Sequence, residues 1–196
     1  MRRLILATTN AGKVVEIRSA LGDVPGWSFE PLPPGIEAIE ETGDTFLANA
    51  ILKAGHYSKF VDNCTLADDS GLCVAALGGR PGVKSARYGQ NPAARIQRVL
   101  LEMQLVPDSR RDAVFYCALA VARYGKIIWT VQGEVAGFIA HSPSGTEGFG
   151  YDPIFLLPER NRTMAQLSTE DKNRLSARGK ALAELHKFLS MRGDTP

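Results

Sequence analysis

The sequence predicts an α/β protein, on three observations. An apolar, β-prone run from Arg3 to Ala7 passes through a polar, glycine-containing loop into Val14, Ile17 and Leu21, which recur at helical spacing. A second run, Thr65 to Val74, carries Asp68-Asp69-Ser70-Gly71 between apolar residues. It reads as a buried strand that delivers two carboxylates to a Ser-Gly turn, and open α/β sheets place ligands at the carboxyl ends of strands. Helical periods and β-rich runs then alternate to the end of the chain.

The elements follow in order. Ser28 to Pro31 is a second short strand, and Pro31 to Gly43 is too rich in Pro, Gly and Glu for regular structure. Thr42-Gly43-Asp44-Thr45 caps a helix from about Thr45 to Phe60, with Leu47, Ala50, Ile51 and Ala54 as its buried stripe. Asn49, Lys53 and His56 share one side of that helix, with His56 at the surface. Gly78 to Tyr88 is a long loop shaped by its glycines and Pro81, and Pro92 to Gln104 is a helix with Ile96, Val99, Leu100 and Met103 inward. Ala113–Arg123 and Lys126–Val135 form a hairpin about Tyr124-Gly125, and a further strand ends near Ile139. Ser168-Thr169-Glu170-Asp171 opens one final helix to about Met191, with Leu175, Leu182, Leu185 and Leu189 as its apolar side.

Composition narrows the function. The 196 residues are 44% apolar and 22% charged, an ordinary globular balance for one domain or two closely joined lobes. A net charge of +2 and the lack of a basic stripe argue against nucleic-acid binding. The longest apolar run, Ala113 to Ala122, has ten residues. That is short of the roughly 18 that mark a membrane helix, and the first residues lack a signal-peptide core. Cys64, Cys73 and Cys117 have no metal-type spacing and read as buried small residues in a reducing cytosol.

Several stretches carry chemistry. Two adjacent carboxylates, Asp68 and Asp69, suit a divalent metal or a general base, and equally an ordinary surface turn. If the strand stays extended, the two side chains point to opposite faces. The Thr8-Thr9-Asn10-Ala11-Gly12-Lys13 loop aims backbone N–H groups and a helix N-terminus at an anion, or is a helix cap beside a solvated lysine. Glu40 and Glu41 complement a helix dipole or hold a metal. Arg80, Lys84 and Arg87 meet phosphates or solvent. Phe149-Gly150-Tyr151-Asp152 forms either a base-stacking pocket or a core turn. Lys172, in the first turn of a helix, opposes the dipole and so points to an anionic partner.

Six stretches in this order resemble the RdgB-like inosine triphosphate pyrophosphatase family. They are Thr8–Lys13; Glu40-Glu41-Thr42-Gly43 with Asn49–Ala54; Ala67–Leu72; Leu77–Gly82 with Ser85-Ala86-Arg87-Tyr88; Gly148–Phe155; and Lys172 with Ser176–Gly179. The resemblance implies a long mixed central β-sheet flanked by helices, with two lobes around a deep substrate cleft and residues 1–196 as a single domain. It implies a Mg2+-dependent hydrolase that cuts non-standard purine nucleoside triphosphates (ITP, dITP, XTP) to monophosphate and pyrophosphate and so cleanses the nucleotide pool. It further implies a cytoplasmic homodimer with no nucleic-acid or membrane partner. In this reading Thr8, Thr9, Asn10, Ala11, Gly12, Lys13, Lys53 and Lys172 hold the triphosphate, and Ser70 binds phosphate or orients Asp69. Glu41 and Asp69 hold Mg2+, and Asp69 activates water with Asp68 as helper. Phe149, Gly150, Tyr151 and Asp152 enclose the base, and Arg178 reaches its keto edge. The family usually has Ser-His-Arg where this chain has Ser176-Ala177-Arg178, which weakens the expected base selectivity. Two rival readings are a Maf-like pyrophosphatase for other modified nucleotides and a nucleotide-binding module without turnover.

Overall fold

Strand β1 (Arg2–Leu6) has parallel neighbours on both sides, β2 (Trp27–Pro31) and β3 (Cys64–Val74). A strand so flanked is covered on both faces, and Leu4, Ile5 and Leu6 are buried accordingly. The computed structural model describes residues 1–193. Its other strands and α-helices are α1 (Ala11–Leu21), α2 (Phe46–Tyr57), α3 (Pro92–Glu102), β4 (Asp112–Arg123), β5 (Lys126–Ile139), β6 (Phe155–Leu157), β7 (Arg162–Thr163), α4 (Thr169–Leu175) and α5 (Ala177–Gly193), joined in places by short 3-10 turns. The strands form one mixed seven-stranded sheet in the order β2-β1-β3-β4-β5-β6-β7, flanked by the helices. Among the described residues no helix is long and apolar enough to cross a membrane.

The chain divides into two compact units. The first holds Met1–Asp69, Cys117–Gly133 and Arg178 onward; the second holds Ser70–Tyr116 and Glu134–Ala177. In the first, Ile17 and Leu21 of α1, Ala50 and Ala54 of α2, and Leu182, Leu185 and Leu189 of α5 are buried. Trp129 stacks on Phe188, and the Trp27 indole donates to Leu189 O at 3.1 Å. In the second, Val99, Met103, Ile139, Ile154, Phe155 and Met164 are buried.

Several sequence expectations change here. The Asp68-Asp69-Ser70-Gly71 stretch is not a turn, because β3 runs unbroken from Cys64 to Val74. The carboxylates stay mid-strand because cations from other elements answer them, which sequence composition does not reveal. On α2 the buried positions are Phe46, Asn49, Ala50, Ala54 and Tyr57, rather than Leu47 and Ile51. The strand ending at Ile139 is the continuation of β5. Tyr124 and Gly125, with φ of 52° and 77°, make the two-residue primed turn that matches strand twist. The final helix is two helices, broken where Ser176 turns extended (ψ 157°). Lys172 therefore lies in the last turn of α4, where it complements the dipole, and the dipole argument for an anionic partner falls away. Of the cysteines only Cys117 is buried; Cys64 and Cys73 are half-buried.

Arg111 holds one end of the second unit together. Its Nε donates to Ile139 O at 2.7 Å, Nη1 to Met103 O at 2.8 Å and Val106 O at 3.2 Å, and Nη2 to Ala140 O at 3.1 Å. The guanidinium thereby joins the end of α3 to the end of β5 while 3% exposed. An ammonium cannot span four carbonyls held in that fork. Arg111→Lys is expected to lower unfolding free energy by ~2–4 kcal/mol, as buried carbonyls lose their donors, and urea denaturation measures it.

Candidate functional site

The site is built around the alternation of β3. Successive side chains on a strand face opposite ways, so Asp68 and Asp69 meet different partners. Asp68 is 2% exposed. Its Oδ1 lies 2.6 Å from Lys13 Nζ. Its Oδ2 accepts from Arg178 Nε at 3.3 Å and Nη2 at 3.1 Å, and lies 3.8 Å from Cys117 Sγ. Arg178 Nη1 also donates to Glu16 Oε2. Burial alone would raise the Asp68 pKa, but Lys13, then Arg178 and Lys53, outweigh it and hold the carboxyl well below the usual range. Asp68 is thus a fixed negative charge at neutral pH. Burial first, with Asp68 adding to it, pushes the Cys117 thiol up to about 12 against the opposing pull of Arg178 and Lys13, so it is no nucleophile.

Asp69 faces a different set. Its Oδ2 accepts from Asn49 Nδ2 at 3.1 Å, and its Oδ1 lies 3.7 Å from Lys53 Nζ. Lys53 Nζ in turn lies 2.6 Å from Glu41 Oε1. Asn49 Oδ1 accepts from Gly43 N at 2.7 Å, so one amide ties the Glu40–Gly43 segment, α2 and β3 together. Burial raises the Asp69 pKa; Lys53 opposes this, Glu41 adds to it, and the net shift is upward. The Lys53 pKa is raised despite burial, by Asp69, Asp68 and Glu41. The two neighbouring carboxyls are therefore driven in opposite directions, as in sites where two acids take different roles.

The loop before α1 caps its helix. Asn10 is the N-cap, accepting from Lys13 N at 3.2 Å, and Thr8 Oγ1 accepts from Asn10 N at 3.2 Å. Lys13 is not solvated, since it is paired with Asp68. Thr9, Asn10 and Ala11 are exposed and Thr8 and Gly12 half-buried.

The second unit holds a cluster of its own. Asp152 Oδ2 accepts from Lys172 Nζ at 2.5 Å and from Phe149 N at 2.7 Å, and the ammonium sits 5.0 Å from the Phe149 ring centroid. Gly148 has φ +76°, and a side chain there would collide with Asp152 and Lys172, so the approach needs glycine. Tyr151 is 4% exposed and donates to Ser85 O at 2.9 Å. Ser85 Oγ donates to Gly82 O at 2.6 Å and accepts from Leu72 N at 2.9 Å. Ser70 is half-buried and opens this unit, and Gly150 is half-buried beside Tyr151. Arg80 points to Leu77 O, the Tyr88 hydroxyl and Glu102, so its role is to shape the loop.

A profile of the Ham1 family matches residues 4–188. The chain belongs to the Ham1 family. It is 48% identical over 185 residues to a dITP/XTP pyrophosphatase of Gloeobacter violaceus, covering 94% of this chain and 93% of the relative. A second dITP/XTP pyrophosphatase, from Bacillus subtilis, is 45% identical over 96% of this chain and 98% of its own. The fold is similar to the solved structure of a HAM1 protein from Coxiella burnetii, with TM-score 0.88, 42% identity, and coverage of 97% of this chain and 100% of that one. The resemblance read from the six motifs is thereby borne out.

In this Ham1 chain the sequence reading missed Glu16, Asn49 and Ser85 as contributors. Glu16 follows Lys13 by one helical turn, and Asn49 precedes Lys53 by one, so helical spacing was the available signal. Ser85 carried none. Breaking a buried pair by removing one charge is costly, whereas a carboxyl with a raised pKa already resists its own ionisation. Asp68→Asn is therefore expected to destabilise by ~3–5 kcal/mol. Asp69→Asn is expected to cost clearly less than Asp68→Asn, because burial already opposes the Asp69 charge and raises its pKa. Chemical denaturation of the two variants at neutral pH, without added metal, gives the comparison.

Proposed function

We propose that this chain hydrolyses non-standard purine nucleoside triphosphates (ITP, dITP, XTP) to the monophosphate and pyrophosphate, the activity by which its relatives are named. The observation that carries the reading is the division of β3. Asp68 is locked between Lys13 and Arg178, while Asp69, with its raised proton affinity, is left beside Asn49 and Lys53.

Asp69 is the base that takes a proton from the attacking water. Lys13, Lys53 and the Thr8–Gly12 segment hold the triphosphate, since a polyanion calls for cations and N–H donors from several elements. Asp68 anchors Lys13 and Arg178 rather than moving protons.

The residues fit a magnesium ion. Among the described residues no group of three or more His, Cys, Asp or Glu is arranged to hold a metal. The Glu41–Asp69 pair shares one ammonium, and Mg2+ is commonly held by one or two carboxylates together with substrate phosphates. When bound, the ion would neutralise charge on the phosphate oxygens. Glu41 and Asp69 would hold it.

The second unit's cluster is assigned to the base. Lys172 only donates, and the Asp152 carboxylate accepts beside it. A keto purine offers an acceptor at position 6 next to an N–H at position 1, and adenine offers the reverse. Arg178, expected at the keto edge, has its guanidinium on Asp68 and Glu16, and Ala177 is 4% exposed. The base edge is therefore assigned to Lys172 and Asp152, with Phe149 as the stacking face. The homodimer and cytoplasmic setting belong to the same proposal and rest on the resemblance.

Turnover of ITP, XTP, GTP and ATP with Mg2+, assayed for both pyrophosphate and orthophosphate, tests the activity. Monophosphate and pyrophosphate are the expected products, and primary release of orthophosphate overturns the reading. Asp69→Asn is expected to lower kcat by about 10²–10⁴, the usual share of a general base. Lys13→Ala should raise KM for all four nucleotides by similar factors. Lys172→Ala should instead change the ratio of kcat/KM for ITP over ATP. An unchanged ratio would return Lys172 to the phosphates.

A further inference from the structure

Lys53 occupies the centre of the pair assigned to the metal. Its Nζ lies 2.6 Å from Glu41 Oε1 and 3.7 Å from Asp69 Oδ1, with the side chain 12% exposed. The arrangement is held from both ends. Asn49, one turn earlier on α2, donates to Asp69 and accepts from Gly43 N, so both carboxylate-bearing segments are tied to the helix that carries Lys53. Two partly buried carboxylates so placed need a cation between them, and here the chain supplies its own.

A dication arriving alone would meet an ammonium at the same oxygens. It would have to take from Lys53 the two carboxylates nearest to it in a partly buried site, where like-charge repulsion is strong. A triphosphate changes that balance. Its oxygens give the flexible ammonium new partners, and its own charge offsets that of the ion. We infer that Lys53 keeps the Glu41–Asp69 pair closed to free divalent ions, so that the metal enters only together with the triphosphate and the working substrate is the metal–nucleotide complex. This rests on the reading of Glu41 and Asp69 as the metal pair.

Mn2+ binding to the metal-free protein, followed by electron paramagnetic resonance, tests it without turnover. Wild-type protein should bind free Mn2+ weakly. It should bind at least about tenfold more tightly when an α,β-methylene ITP analogue is present, since the analogue supplies the opposing charge. Lys53→Met should bind free Mn2+ at least about tenfold more tightly than wild type in the absence of nucleotide. The melting temperature of this variant should rise more on Mn2+ addition than that of wild type. Lys53→Gln removes the charge while keeping a polar head, and should behave in the same way if the Met variant does not fold. Equal affinity of wild type and Lys53→Met for free Mn2+ overturns the inference and leaves the metal pair standing. If Lys53→Met with Asp69→Asn still binds Mn2+ as tightly as Lys53→Met alone, the ion sits elsewhere, and both the metal pair and the inference fall.

Discussion

A carboxylate in the middle of a buried strand has to be answered by charge from elsewhere in the chain, and Asp68 is answered twice. Lys13 comes from the start of α1 and Arg178 from the start of α5. Glu16 braces the arginine from one turn further along α1. The desolvation of one buried carboxylate is met only if both helices dock with their first turns at β3, so this one charge positions the termini of two helices. The same contacts bring the cap loop, Asn10 and Thr8, to the strand that carries Asp69.

Because strand side chains alternate, fixing Asp68 on one face leaves Asp69 on the other. The two carboxyls are adjacent in sequence and opposite in chemistry. One is held charged by two cations. The other is burdened by burial and by Glu41, with Lys53 and Asn49 as partial compensation. Such opposition, in which a site carries strain that the surrounding fold tolerates, is common where stability and activity compete.

The second unit solves a separate problem, the fixing of an aromatic loop. Asp152 accepts from the backbone of Phe149 and from Lys172 at once, and Gly148 leaves room for both. Tyr151 is pinned through Ser85 to the backbone of β3 at Leu72. The aromatic face and the cation beside it are therefore held in place by hydrogen bonds to one carboxylate rather than left to the loop.

The sequence by itself determined the α/β class, the order of elements from β1 to β5, the Tyr124-Gly125 turn and most candidate side chains, because these follow from periodicity, turn chemistry and local motif, whereas the short β6 and β7 carried no such pattern. It also carried the alternation argument that separates Asp69 from Asp68. It misread Asp68-Asp69-Ser70-Gly71 as a turn, since local propensity cannot count cations supplied from Lys13 and Arg178, 55 and 110 positions away. It took α4 and α5 as one helix, since an extended Ser176 leaves no mark in the apolar spacing. Only the tertiary structure decided which lysine answers which acid. In the sequence Lys53 and Lys172 are both helix lysines assigned to the triphosphate, with nothing to say which acid each would meet. Packing sets one between Glu41 and Asp69 and the other against Asp152 and Phe149, because a buried charge goes where its counter-charge is, and that is a property of the assembled fold.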